Sequence, residues 1–175
     1  KSALMSWFVL HPPAGVRVVS FFITARFAGH SDRTAFVDVL LEQLADLLDQ
    51  SMPAFLTDAT REAHLLALLA EAAHACGHRG ERLVLVVDGL DEDRGVTVGA
   101  DAHSIAAILP ADPPAGMRIV VAGRPNPPIP ADVPARHPLR DPTIVRDLAR
   151  SEHAEVVRAD ARRELKRLLR GTPAE

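Results

Sequence analysis

The chain is short of cysteine and of long apolar runs, and each shortage excludes a class of protein. Its single cysteine, Cys76, cannot form an intramolecular disulfide and is typical of a reducing compartment, so we expect a cytoplasmic protein. No run approaches the ~18 apolar residues that a membrane span needs. The net charge of -3 gives no bulk-charge argument for binding nucleic acid or a membrane surface.

The composition is otherwise that of a folded globular chain. It has 175 residues, of which 47% are hydrophobic and 25% charged, enough to bury a core. Lysine occurs only at Lys1 and Lys166, and arginine supplies the remaining cations, a bias typical of a GC-rich bacterial genome. The chain begins on Lys1-Ser2, and its first apolar run ends in His11-Pro12-Pro13 without a small-residue cleavage site. We therefore expect a piece of a longer protein and no signal peptide.

Strands and helices alternate along the predicted chain. Strands are predicted over 16–24, 83–87 and 117–122, with a weaker one over 143–148. Helices are predicted over 3–10, 31–49, 58–76, 103–109 and 151–169, and 124–142 is proline-rich and irregular. In the helix over 58–76, Leu65 and Leu66 are both predicted to face the core, and Gly77 is predicted to end the helix. The run 83–87 shows no polar alternation and should be buried on both faces. This order predicts an α/β fold, a mostly parallel sheet with helices on both faces.

The sequence LVLVVDGLDED, residues 83–93, places four acids after a buried strand. Ligands of open parallel sheets bind beyond the carboxyl ends of the strands, where Asp88 lies. A carboxylate at such a tip can ligate Mg²⁺ when phosphate and water supply the other oxygens. A strand that ends in a solvated acidic turn produces the same pattern, and residues 83–88 alone do not separate the two.

Three motifs together resemble the NACHT family, in the STAND class of P-loop NTPases. The pattern of five aliphatic residues followed by DGLDE is similar to that family's Walker B strand. Lys1-Ser2, which opens an apolar helix, looks like the last two residues of a Walker A loop, GxxxxGK[ST]. The sequence RIVVAGRP, residues 118–125, is similar to the family's next strand, which ends in a small residue followed by Arg-Pro.

The resemblance implies a P-loop NTPase core over residues 1–150, without its first strand and the glycines of its phosphate loop. Residues 151–175 would be a charged helix leading to a further helical domain. The implied ligands are ATP and Mg²⁺. Lys1 and Ser2 would bind the phosphates and Ser2 also the metal, which Asp88 would hold. Arg124 would contact the γ-phosphate as the sensor 1 residue and stabilise charge in transfer.

By the same resemblance, the chain is a switch that binds and hydrolyses ATP within a multidomain signal-transduction regulator. Asp91 or Glu92 would polarise the attacking water, and we favour Asp91. The partners implied are the nucleotide, other domains of the same chain and, in one nucleotide state, further copies. The 175 residues alone are expected to be inactive. The alternative is a scaffold that senses nucleotide without hydrolysis or only mediates protein contacts.

Other patterns in the chain carry weaker hypotheses. A phosphotransfer receiver should have acids at the tip of its first strand, where this chain has Ala25-Arg26. His74, Cys76 and His78 fit no common zinc spacing, which predicts a helix end with a buried thiol. The helix over 151–169 mixes both signs of charge, which indicates a solvated helix rather than a nucleic-acid surface.

Overall fold

Three parallel strands form the centre of the fold. The structure is a computed structural model that describes residues 1–26, 31–53, 56–93, 103–124, 128–148 and 152–169. Strands β1 (Val16–Phe22), β2 (Arg82–Asp88) and β3 (Arg118–Ala122) pair in the order β1-β2-β3, and both pairings are parallel. The α/β fold with a parallel sheet is therefore confirmed.

The pairing register brings the carboxyl ends of all three strands to one edge of the sheet. Asp88, the last residue of β2, lies opposite Phe22 of β1 and Ala122 of β3. Whatever follows Phe22, Asp88 and Ala122 in sequence is therefore brought together in space. This edge is where the sequence predicts the site.

Helices follow the strands in the predicted order. They are α1 (Ser2–Leu10), α2 (Arg33–Leu48), α3 (Asp58–His78), α4 (Ile105–Ile108) and α5 (Ala154–Leu169). The carboxylate of Asp32 accepts a hydrogen bond from the amide of Ala35, 2.9 Å away, and so fixes the start of α2. No helix in the described ranges combines the length and apolarity of a membrane span. The chain divides into two compact units, Lys1–Val145 and Arg146–Glu175, and α5 belongs to the second.

The central strand is buried on both faces, as its uninterrupted apolar run predicts. Every residue of β2 after Arg82 is buried. Leu83, Leu85 and Val87 pack into the core together with residues of α2, α3 and α4. Val84 and Val86 alternate with them and face the other side, where they are buried too. Helix α1 packs against β1 and β2.

Three sequence predictions about the helices and strands are wrong. Leu66 was expected inside α3 but is 44% exposed, because it lies one residue, or 100° of helix turn, past the fully buried Leu65. Gly77 does not end α3, which runs to His78 with Arg79 as its C-cap.

The weak strand over 143–148 does not form. Pro142–Ile144 is a 3-10 turn whose first free amide, that of Thr143, bonds the Asp141 carboxylate. The buried thiol of Cys76 is confirmed.

The proline-rich segment is fastened to both ends of α4. Asp132 accepts hydrogen bonds from the amide and the hydroxyl of Ser104, at 2.6 and 2.8 Å, just before α4 begins. At the other end, Nε2 of the buried His137 lies 2.9 Å from the carbonyl oxygen of Leu109. The amide of Leu139 donates to His137 Nδ1, so Nε2 carries the proton and donates to Leu109. Side chains thus hold a segment that has no backbone ladder.

Paired leucines in α3 test the assignment of its buried face. We expect Leu65→Ala to lower the free energy of unfolding by about 2–5 kcal/mol, the usual cost of a buried leucine. Leu66→Ala changes helix propensity identically but should cost less than about 1 kcal/mol, since the side chain is 44% exposed. Urea unfolding followed by circular dichroism measures both. Equal costs for the two variants would contradict the assigned face.

The two hydrogen bonds between Asp132 and Ser104 should make the free energy of unfolding depend on pH. Burial alone would raise the pKa of Asp132, but the two Ser104 hydrogen bonds outweigh it, and the pKa is lowered from 3.8. Because the folded-state pKa is the lower one, this stabilisation is present above the unfolded pKa and is lost as pH falls through the folded pKa. Asp132→Asn should therefore be less stable than the parent near pH 7. The difference should shrink below about pH 4, the region of an unperturbed aspartate. A pH-independent difference in urea midpoint would contradict this.

Candidate functional site

Asp88 is the innermost acid of the strand-end cluster. The residue is 4% exposed, and its Oδ1 atom is buried without a hydrogen-bond partner in the described part of the chain. The nearest cation is Lys1, whose Nζ lies 3.5 Å from that oxygen. A buried carboxylate oxygen that accepts no hydrogen bond is costly, and a nearby cation reduces the cost. Asp88 is therefore available to a cationic ligand.

Gly89 turns the chain immediately after Asp88. Its φ of +83° lies in the left-handed region that favours glycine. Its amide donates to the carbonyl of Ala122 at the end of β3, and the amide of Ile23, after β1, donates to the carbonyl of Asp88, both at 2.8 Å. A Cβ on residue 89 would lie 2.5 Å from the carbonyl oxygen of Ile23. Both the conformation and the space therefore require glycine between Asp88 and the next acids.

A single 3-10 turn, Leu90–Glu92, then sends the two following acids in different directions. Asp91 goes to the end of β3. Its Oδ1 accepts from the Arg124 amide at 2.9 Å and its Oδ2 lies 3.0 Å from Arg124 Nε. Glu92 goes to the end of β1, where its Oε2 accepts from the amide of Ala25 at 3.1 Å. The two candidate bases thus have different neighbours.

The fourth acid, Asp93, has a structural role. It is buried, and its Oδ2 accepts a 2.7 Å hydrogen bond from the amide of Ile105, the first residue of α4. Asp93 therefore satisfies a free amide at a helix start and closes the chain between positions 93 and 105. Nothing in the sequence around Asp93 predicts this role, since its partner is a backbone amide twelve residues away.

Four of the predicted site residues meet at the strand ends. Lys1 Nζ lies 3.9 Å from Asp91 Oδ1 as well as near Asp88, and Arg124 contacts Asp91. Two acids are thereby matched by two cations. Glu92 adjoins this group but is bound to the end of β1. Ser2 begins α1 and is exposed, and its hydroxyl makes no hydrogen bond within the described ranges.

The acids fit a metal only in part. No group of three or more His, Cys, Asp or Glu side chains in the described ranges is arranged to hold a metal ion alone. Asp88 and the Ser2 hydroxyl would supply one or two oxygens. Mg²⁺ commonly takes one or two protein oxygens and completes its shell with water and substrate phosphate. The residues present therefore fit magnesium accompanied by a phosphate, and not a metal held by protein side chains alone.

A cavity elsewhere in the first unit contains none of the predicted site residues. It measures about 70 Å³ and is lined by Arg33, Thr34, Val37, Arg61 and Glu62. Arg33 is paired with Glu62, and Arg61 with Asp38. Each of these arginines is ion-paired through a terminal nitrogen, while its Nε is buried without a hydrogen-bond partner in the described part of the chain, and we assign the cavity no ligand.

Sequence reasoning missed the partners of Glu92 and Asp93. Each partner is a backbone amide, which every residue except proline carries, so no residue type marks it in the sequence. The pairing of Asp91 with Arg124 could have been inferred, because both follow the ends of neighbouring parallel strands. No family model, no curated protein and no solved structure matches the chain.

Glycine-to-alanine variants separate strain from crowding at the Asp88 turn. We expect Gly89→Ala to cost at least about 2 kcal/mol of unfolding free energy, because a left-handed residue with a Cβ costs about 1–2 kcal/mol and a backbone clash adds to it. Gly80→Ala, at φ +70° with nothing within 4 Å, should show the strain alone. Gly77→Ala, inside α3 with open space around it, should be neutral or stabilising by about 0.5–1 kcal/mol.

Urea unfolding measures the free energy of unfolding of the three variants and so ranks them. The clash with Ile23 predicts that Gly89→Ala is clearly worse than Gly80→Ala. If the two costs were equal, the close approach of β1 to the turn would be contradicted.

Proposed function

We propose that the strand-end cluster binds Mg²⁺-ATP and that the chain is the nucleotide module of a NACHT-like signal-transduction switch within a longer protein. The single observation that carries the proposal is the buried, unbonded Oδ1 of Asp88 with Lys1 at 3.5 Å. A free carboxylate oxygen and an ammonium group side by side, at the carboxyl edge of a parallel sheet, suit a divalent cation and a phosphate.

The charges of the cluster favour this ligand over a simple anion or a lone metal. Asp88 and Asp91 carry two negative charges, and Lys1 and Arg124 two positive ones. A phosphate could contact both cations while a magnesium ion took the Asp88 oxygen, so that ligand contacts would replace the ion pair between Lys1 and Asp88. A magnesium-bound triphosphate contains both parts.

The chain's own residues would then divide the work of hydrolysis. Bound magnesium neutralises the charge that develops on the phosphates. Lys1 and Arg124 hold phosphate oxygens, and a guanidinium can do so bidentately. Glu92 or Asp91 orients the attacking water and accepts its proton, a role worth about 10²–10⁴-fold in rate. The switch follows if the contacts to the third phosphate are lost after its release.

A second function is favoured by the same ion pairs. Lys1 with Asp88 and Arg124 with Asp91 already compensate each other's charge in the absence of ligand. A protein-interaction scaffold would need nothing more, because these pairs fasten the start of α1 and the end of β3 to the central strand. This alternative predicts a folded chain that binds no nucleotide.

Replacing Asp88 tests the proposed function. In the full-length protein, Asp88→Ala should abolish Mg²⁺-dependent ATP hydrolysis, because the only buried free carboxylate oxygen in the described cluster is lost. Asp112→Ala removes an exposed aspartate and is the matched control, expected to turn over at the parental rate. Phosphate release measured with and without magnesium gives the answer.

The outcomes separate the two functions. Turnover of the Asp88→Ala variant at the parental rate would contradict the metal role of Asp88. A parent protein that binds no ATP in equilibrium titration would favour the scaffold.

A further inference from the structure

Both carboxylate oxygens of Asp91 contact one residue, Arg124, and Lys1 Nζ lies farther off, 3.9 Å from Oδ1. Oδ1 accepts from the backbone amide at 2.9 Å and Oδ2 lies 3.0 Å from Nε of the side chain. The amide contact fixes where residue 124 leaves β3, and the Nε contact fixes the direction of its guanidinium. Together they form a clasp, by which we mean these two contacts between Asp91 and Arg124.

Asp91 is itself held firmly enough to position a partner. Its side chain is only 10% exposed. It sits inside the 3-10 turn, which is closed by a 2.7 Å bond from the Glu92 amide to the Gly89 carbonyl. Gly89 in turn bonds the end of β3 through Ala122. Hydrogen bonds therefore fasten the turn that carries Asp91 to the end of the sheet.

The Arg124 side chain, by contrast, is held by no other residue in the part of the chain that the structure describes. Its side chain is 78% exposed, and a free arginine has several rotatable bonds and about 2 kcal/mol of rotamer entropy to lose on binding. Contact through Nε leaves the terminal nitrogens of the guanidinium for other acceptors. A clasp at Nε thus preorganises the arginine without blocking its outer donors.

Glu92 lies in the same turn but makes no such contact. Its Oε2 accepts from the amide of Ala25, at the other side of β2. The two adjacent acids are therefore separated by what they hold: Asp91 holds a cationic side chain beside β3, and Glu92 a backbone amide after β1. This difference supplies a matched comparison within one turn.

We infer that Asp91 is the positioning residue for Arg124, aiming its guanidinium at the terminal phosphate, and that it is not the group that accepts the proton of water. The inference rests on the proposed function. One oxygen of Asp91 accepts the Arg124 amide and the other is ion-paired with the Arg124 guanidinium, so the carboxylate is poorly placed to orient water as well. The role of general base then falls to Glu92, which the sequence alone did not separate from Asp91.

A double-mutant cycle in the full-length protein tests the clasp. The readout is the affinity for ATP relative to ADP, both with Mg²⁺, for the parent, Asp91→Asn, Arg124→Gln and the double variant. Arg124→Gln should lose roughly tenfold of the preference for ATP, as expected for a charge-assisted contact to the third phosphate. Asp91→Asn should lose a large part of the same preference, while affinity for ADP stays within about twofold.

The decisive comparison is between the effect of Asp91→Asn in the parent and its effect in the Arg124→Gln variant. In Arg124→Gln, adding Asp91→Asn should change the ATP preference by less than about twofold, which is the scatter of independent sites, because the residue it positions is gone. Glu92→Gln is the matched control and should act on ATP preference independently of Arg124. Arg124→Lys keeps the charge but not the guanidinium whose Nε lies beside Asp91, and it should resemble Arg124→Gln.

Each outcome decides one claim. Additive effects of Asp91→Asn and Arg124→Gln, or a loss of turnover in Asp91→Asn with the ATP preference intact, would overturn the clasp and leave the nucleotide site standing. Equal weakening of ATP and ADP would show that Asp91 only supports the turn, and would overturn it too. A parent protein that binds neither nucleotide would remove the proposed function, and the inference with it.

Discussion

The turn at Gly89 is the constraint on which the acidic cluster depends. β2 has a neighbour on each side, so the chain that leaves it must pass between two other strand ends. Two backbone hydrogen bonds hold the chain there: the amide of Ile23 donates to the carbonyl of Asp88, and the amide of Gly89 donates to the carbonyl of Ala122. A side chain at position 89 would collide with the Ile23 carbonyl. Only a glycine in the left-handed region lets the chain fold back, and the directions of Asp91 and Glu92 follow from that turn.

The four acids that follow β2 can lie close together in sequence because the topology gives them different neighbours. The acids go to different places: Asp88 to Lys1, Asp91 to Arg124, and the next two to backbone amides at the ends of β1 and α4. Four acids in six positions would repel one another if they pointed to one spot, and dispersing them over different partners, of which only Lys1 is near two acids, reduces that cost. Counting acids in the sequence thus overestimates the carboxylates available to a metal, which agrees with the lack of a three-ligand group in the described ranges.

Sequence reasoning succeeded where a physical rule links residue type to position. Five aliphatic residues without alternation fixed β2 as a strand buried on both faces, and the strand-end rule placed Asp88 and Arg124 at one edge. It failed where the partner is a backbone group or where two adjacent residues of the same type differ in burial. Leu65 and Leu66 are indistinguishable by composition, yet only one faces the core. Residues 143–148 are apolar enough for a strand, but Asp141 and Pro142 start a 3-10 turn there instead.

The same arrangement of side chains serves both proposed functions, which differ only in whether the free energy of nucleotide binding is favourable. The ion pairs stabilise the strand ends without a ligand, and a ligand must break the pair between Lys1 and Asp88 to bind, so nucleotide affinity is the gain of new contacts minus the loss of that pair. Arg124 is exposed and can contact a ligand through its terminal nitrogens while its Nε stays beside Asp91. Asp88 is buried and gains most from a cation, because its Oδ1 has no hydrogen bond to give up. The balance therefore favours a ligand that brings its cation to Asp88 and its anion to the exposed arginine, which is the arrangement of a metal-bound polyphosphate.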